Sequence, residues 1–157
     1  MKQRLLLGLG NPLMGDDGVG WYVASRLAGD PRLPPDVEAI WGGTDLLRYA
    51  CQIVGRSHVM VVDALQDAAE PGTVTMLEDS AGLDERQTNA HELSPVQAIR
   101  LVQMMTPVRM TLLGISIASV AMGSGLSKEM EARMPAILER VLEELGRAAP
   151  GARAGCG

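Results

Sequence analysis

Residues 5–20 read Leu5-Leu6-Leu7-Gly8-Leu9-Gly10-Asn11-Pro12-Leu13-Met14-Gly15-Asp16-Asp17-Gly18-Val19-Gly20. Leu5 to Leu9 is a short apolar run without polar alternation, cut off by Gly10-Asn11-Pro12. That is the pattern of a strand buried on both faces. From Gly18 to Leu27 the apolar positions Val19, Val23, Ala24 and Leu27 recur at helical spacing, so a helix follows. A buried strand, a glycine-rich loop and a helix in succession open an α/β chain with a parallel sheet.

Outward from this unit the same alternation continues. Pro31, Pro34 and Pro35 break the chain, and Val37 to Trp41 predicts a second strand stopped by Gly42-Gly43. Leu46 to Ile53 predicts a short helix capped by Thr44 or Asp45. His58 to Val62 is another buried-strand run, ending at Asp63. Gly72 to Leu77 reads as a strand after the Pro71-Gly72 turn, and Ser80 to Asn89 as a loop. Ser94-Pro95-Val96-Gln97 has the form of a helix start, with a capping serine, proline in the first turn and a glutamine that closes a capping box. The apolar face of that helix is Val96, Ile99, Val102 and Met105. Val108 to Leu113 predicts a strand ended by Gly114. Met130, Met134, Ile137, Leu138, Val141, Leu142 and Leu145 form an amphipathic stripe over 128–146, with Pro135 expected to kink it or delay its start. The simplest solution is a three-layer α/β/α sandwich around a mainly parallel sheet, with right-handed crossovers. Residues 1–146 form one domain, and 147–157 are expected to be a disordered tail.

Composition narrows the function. The 157 residues carry 14 basic and 19 acidic side chains, a net charge of −5, with 3% aromatics and no Phe. This disfavours nucleic acid and anionic membranes as partners. No apolar run is long enough to span a bilayer. Residues 1–7 start like a secretory signal but then meet Gly-Asn-Pro and two aspartates, so a cytoplasmic protein is expected. Two cysteines exclude a disulfide scaffold. Cys51 is expected to be buried, Cys156 to lie in the tail, and Met104, Met105, Met110 and Met122 to fill the core, with an adaptable contact surface as their other reading.

In parallel sheets ligands bind beyond the carboxyl ends of the strands. Three polar clusters fall there: Asp16-Asp17 after the first strand, Asp63 after the third, and His91-Glu92 before the helix at 94. Each has an ordinary reading. Asp16 or Asp17 can cap the following helix, Asp63 can form a turn, and His91 can be a surface histidine. Together, two carboxylates and one imidazole make an O,O,N donor set for a divalent metal such as nickel or zinc, with open positions left over. His58, at the head of an apolar run, is read as structural or surface. Nucleotide binding is disfavoured, because Gly8-Leu9-Gly10-Asn11-Pro12-Leu13 lacks the third glycine and two aspartates sit where a pyrophosphate would go. Ser116 lacks the second glycine of a nucleophile elbow, which disfavours a serine hydrolase.

The stretch Leu7 to Gly20 resembles the opening motif of the hydrogenase maturation endopeptidases, which remove the C-terminal extension of nickel–iron hydrogenase large subunits. The resemblance continues through Gly42-Gly43-Thr44, the strand ending at Asp63, His91-Glu92-Leu93-Ser94, Leu112-Leu113-Gly114 and Gly125-Leu126-Ser127. After the strand at 108–113 that family often reads Gly-x-Gln-Pro, where this chain has Gly114-Ile115-Ser116-Ile117.

The resemblance implies that Asp17, Asp63 and His91 contact a nickel ion supplied by the precursor, recognised as proof of completed loading. It also implies a cytoplasmic enzyme whose partner is the hydrogenase large-subunit precursor, and a monomer is expected. The metal can polarise the scissile carbonyl or acidify a bound water, with a carboxylate of the trio, or Asp16, as general base. Two other readings stay open: a peptidase with its own zinc acting on another protein, and a non-catalytic nickel-binding maturation chaperone.

Overall fold

The structure is a computed structural model and describes residues 2–77 and 94–149. The elements run β1 (Arg4–Leu9), a 3₁₀ turn (Gly15–Gly18), α1 (Val19–Ala28), β2 (Val37–Gly42), a second 3₁₀ turn (Leu46–Tyr49), α2 (Ala50–Ile53) and β3 (His58–Leu65). They continue through β4 (Val74–Leu77), α3 (Pro95–Met105), β5 (Arg109–Ser116) and α4 (Lys128–Arg147). The expected loop at 80–89 and residues 150–157 of the expected tail lie outside the described residues.

One sheet of order β2-β1-β3-β5-β4 forms the middle layer, parallel throughout except for β4, which runs antiparallel to β5 at the edge. Because strand side chains alternate between faces, each central strand feeds two cores. Leu6, Met60, Val62, Leu113 and Ile115 pack under α1 and α4, which contribute Val19, Val23, Leu27, Met130, Met134, Ile137, Val141 and Leu145. Leu5, Leu7, Val59, Val61, Met110 and Leu112 pack under the α2 and α3 side, against Leu46, Ile53, Val96, Ile99 and Val102. This is the expected α/β/α sandwich. It explains the continuous apolar runs, since no strand position of β1 faces water.

Local signals act as read. Asp45 Oδ1 accepts from Leu47 N–H at 3.0 Å. Ser94 and Gln97 close a reciprocal capping box, Ser94 Oγ accepting from Gln97 N–H at 3.2 Å and Gln97 Oε1 from Ser94 N–H at 3.1 Å. The helix α4 starts at Lys128 and runs through Pro135. Among the described residues no helix is long and apolar enough to cross a membrane.

Several expectations change. Cys51 is exposed, because in the single turn of α2 it is Ile53 that turns inward. Met104, Met105 and Met122 are exposed at 83%, 75% and 87%, and only Met110 is in the core. The inward stripe of α3 is completed by Val96, Ala98, Ile99 and Val102, which leaves Met104 and Met105 on the far side. Of its two readings His58 takes the structural one: it is buried, with Nε2 2.8 Å from Thr111 Oγ1 on the neighbouring strand. β5 does not end at Gly114. That residue pairs with Asp63 and Thr75 inside the sheet, and its missing Cβ makes room for Leu65, whose Cδ1 would lie 2.2 Å from it.

Candidate active site

The chain leaves β1 toward β2 on one side and later returns to β3 on the other, so the topological switch point lies between β1 and β3. Ligands collect at the carboxyl edge of such a point. Pairing of β1 with β3 ends at Gly8↔Val62, and β3 continues alone against β5. Asp63, the next residue, therefore sits inside a strand with one flank uncovered by β1. The turn-forming reading of Asp63 is overturned.

The first 3₁₀ turn closes over this gap and packs on β3. Two features place it. Gly8 and Gly20 let α1 ride directly on the sheet: a Cβ on Gly8 would lie 2.1 Å from the Gly20 carbonyl oxygen, and one on Gly20 would lie 2.3 Å from the Val62 carbonyl oxygen. Gly10 leaves β1 at φ 139°, a conformation L side chains rarely adopt, and turns the chain back so that Asn11 meets the turn.

Neither aspartate caps α1, whose N-cap is Gly18 with no side-chain bond. Asp17 Oδ2 accepts from the Asn11 N–H at 3.2 Å. Asp16 is fully buried. Its Oδ1 accepts from Ser127 N–H at 2.7 Å, and its Oδ2 from Ser127 Oγ–H at 2.9 Å and Ser119 N–H at 3.1 Å. Both oxygens are occupied in tying the first loop to the segment before α4. Asp16 is expected from the sequence as a candidate general base; here its geometry is that of a structural bridge.

The turn that carries Asp17 packs on β3, close enough for the Asp17 charge to act on Asp63. Burial pushes the Asp63 carboxyl up from 3.8 to about 7. The N–H of Ala64, 2.8 Å from Asp63 Oδ1, opposes the rise, and the negative charge of Asp17 adds to it. Among the described residues neither carboxylate is in a salt bridge. Two converging acids without a cation form half of a metal-binding donor set, or an acid–base pair. No group of three metal-ligating side chains occurs among the described residues. His91 lies outside them. The described chain next to it starts at Ser94, the cap of α3. The short link from Met105 to Arg109 sets the far end of α3 near the start of β5.

The sequence reading missed Asn11, which joins Asp17 to the loop, and Ser119 and Ser127, which hold Asp16. Ser127 carried a signal, since a serine directly before an amphipathic stripe is a helix cap, and it does accept from Met130 N–H at 3.2 Å.

Comparison with known proteins identifies the family. The family model "Hydrogenase maturation protease" matches residues 21–144. The chain belongs to the hydrogenase maturation protease family. It is 29% identical over 146 residues to the hydrogenase 2 maturation protease of Escherichia coli K12, covering 90% of this chain and 89% of that protein. The crystal structure of a hydrogenase 2 maturation peptidase from a Thaumarchaeota archaeon superposes with a TM-score of 0.68 at 33% identity, covering 92% of this chain and 99% of the other. The maturating endopeptidase HybD of E. coli superposes with a TM-score of 0.74 at 26% identity, covering 94% of each. As a hydrogenase maturation protease, the chain is an endopeptidase with the sandwich fold of its relatives.

Proposed function

We propose that this protease removes the C-terminal extension of a nickel–iron hydrogenase large-subunit precursor after nickel insertion, and that Asp17, Asp63 and His91 contact the nickel the precursor carries. The reading is that of a cytoplasmic, monomeric, aspartyl-type endopeptidase whose metal arrives with its substrate. The observation that carries it is the placement of Asp63 at the β1–β3 switch point, beneath the turn that carries Asp17. Asp17 and Asp63 have no salt-bridge partner among the described residues, and a substrate-borne cation would supply the counter-charge. Binding energy is then available only to a loaded precursor, which makes cutting conditional on nickel.

The chain's own residues divide the work. Asp17, held by the Asn11 N–H, offers its other oxygen to the ion. Asp63, with one oxygen on the Ala64 N–H, has a proton affinity suited to exchange near neutral pH. The nickel itself would supply polarisation of the scissile carbonyl or of a water. Asp16 holds the loop that carries Asp17.

The test is to incubate the protein with nickel-loaded and nickel-free precursor and follow mass loss. Cutting of the loaded form alone is expected, and Asp17→Ala or His91→Ala abolishes it. Equal cutting of both forms removes the nickel checkpoint. Full activity in both variants removes the trio.

A further inference from the structure

We infer that the loop carrying Asp17 and the segment after β5 form one apolar platform, built on Leu13, Val120 and Met122, on which the protein substrate docks beside the site. This rests on the reading above and assigns the surface that grips the precursor around the bond to be cut. The two segments are stitched as a short parallel ribbon. Met14 bridges Gly123, with Gly15 N–H donating to Gly123 carbonyl oxygen at 3.0 Å and Gly123 N–H to Leu13 carbonyl oxygen at 2.9 Å. In parallel pairing the residues preceding a bridged pair are neighbours on one face, so Leu13 and Met122 stand side by side. They are 65% and 87% exposed, and Val120, two residues earlier, is 42% exposed.

The chemistry of the ribbon is unusual for a surface. Ala118 through Ser124 is exposed throughout and carries no charged side chain, and neither does Gly10 to Gly15, in a chain that is 21% charged. Solvated loops are ordinarily polar or charged, and a contiguous exposed apolar patch marks a contact surface. The patch is also fixed relative to the site. Asn11 donates its N–H to Asp17 Oδ2, and its Oδ1 accepts from the Leu13 N–H at 3.0 Å. Asp16 clamps the far strand through Ser119 and Ser127. A substrate resting on Leu13 and Met122 is thereby held in a defined position against Asp17. The occupant is accordingly an apolar stretch of the precursor free of acidic side chains. An acidic segment would be repelled by the adjoining carboxylates, and methionine adapts its shape to a protein surface.

The test measures cleavage of nickel-loaded precursor by the wild type, Leu13→Ser, Met122→Ser and the double variant, with Met104→Ser on the remote end of α3 as control. Solution size is determined in parallel. The double variant is expected to raise KM about ten-fold or more, from the loss of two apolar contacts, with kcat unchanged. The single variants fall between, and Met104→Ser matches the wild type. An active wild type with unaltered KM in the double variant overturns the platform alone. A wild type inert on loaded precursor overturns the underlying functional reading instead. A wild-type dimer that the double variant converts to monomer shows that a second copy of the chain occupies the patch, and also overturns the proposal.

Discussion

Replacing Asp63 by asparagine tests the electrostatics of the site without removing its shape. Asparagine keeps an oxygen for the Ala64 N–H and cannot ionise. In the wild type the folded-state pKa of about 7 lies above the usual 3.8, so the native state holds its proton more tightly than the unfolded chain. That stability is fully present below pH ~4 and is lost as pH rises toward the folded value. Each pH unit in this window removes about 1.4 kcal/mol, and the three-unit shift sets a ceiling of about 4 kcal/mol. Residual solvent access at the half-buried side chain trims this toward about 2 kcal/mol. Urea unfolding of both proteins at steps from pH 4 to 8, with chelator present, is the assay. The advantage of Asp63→Asn over the wild type should grow across pH 4–7 and level off above it. A gap constant to within about 0.5 kcal/mol over the range would refute a desolvated Asp63.

Three further outcomes follow from the same geometry. Asp17→Asn should abolish processing and lower the Asp63 pKa while leaving it well above the ordinary carboxylate range, since burial is the larger cause. Carboxyl-carbon NMR titration reads it directly. Asp16→Ala removes three hydrogen bonds and strands the Ser119 and Ser127 N–H groups. It should cost about 3 kcal/mol in denaturant unfolding, with Asp16→Asn losing less. Gly20→Ala forces a Cβ to within 2.3 Å of two carbonyl oxygens. It should cost roughly 3 kcal/mol or more and lift α1 off the sheet, so a Gly20→Ala protein with wild-type thermal stability would contradict the packing described.

The layered fold was legible because burial on both faces of a parallel sheet leaves its mark in single strands. Leu5 to Leu9 and His58 to Val62 have no polar face because neither side of the sheet meets water. Caps were equally legible, since Asp45 and Ser94 bond only to residues two and three positions on. Strand ends were less so. β3 and β5 outrun their apolar runs because Asp63 and Gly114 pair with each other across the sheet, a partnership invisible to either segment alone. The methionines misled for a related reason: periodicity shows that a residue is apolar, not whether its helix face has already been filled by Val96, Ile99 and Val102.

The site divides along the same line. By itself the sequence determined that Asp16, Asp17 and Asp63 follow buried apolar strand runs, and that the chain resembles a maturation peptidase. Only the tertiary structure decided between Asp16 and Asp17, adjacent in sequence and alike in chemistry. Packing of the 3₁₀ turn against β3 buries the first under Ser127 and sets the second against Asp63. Direction and desolvation are properties of a side chain's surroundings, and those surroundings come from strands and loops as many as 111 residues away.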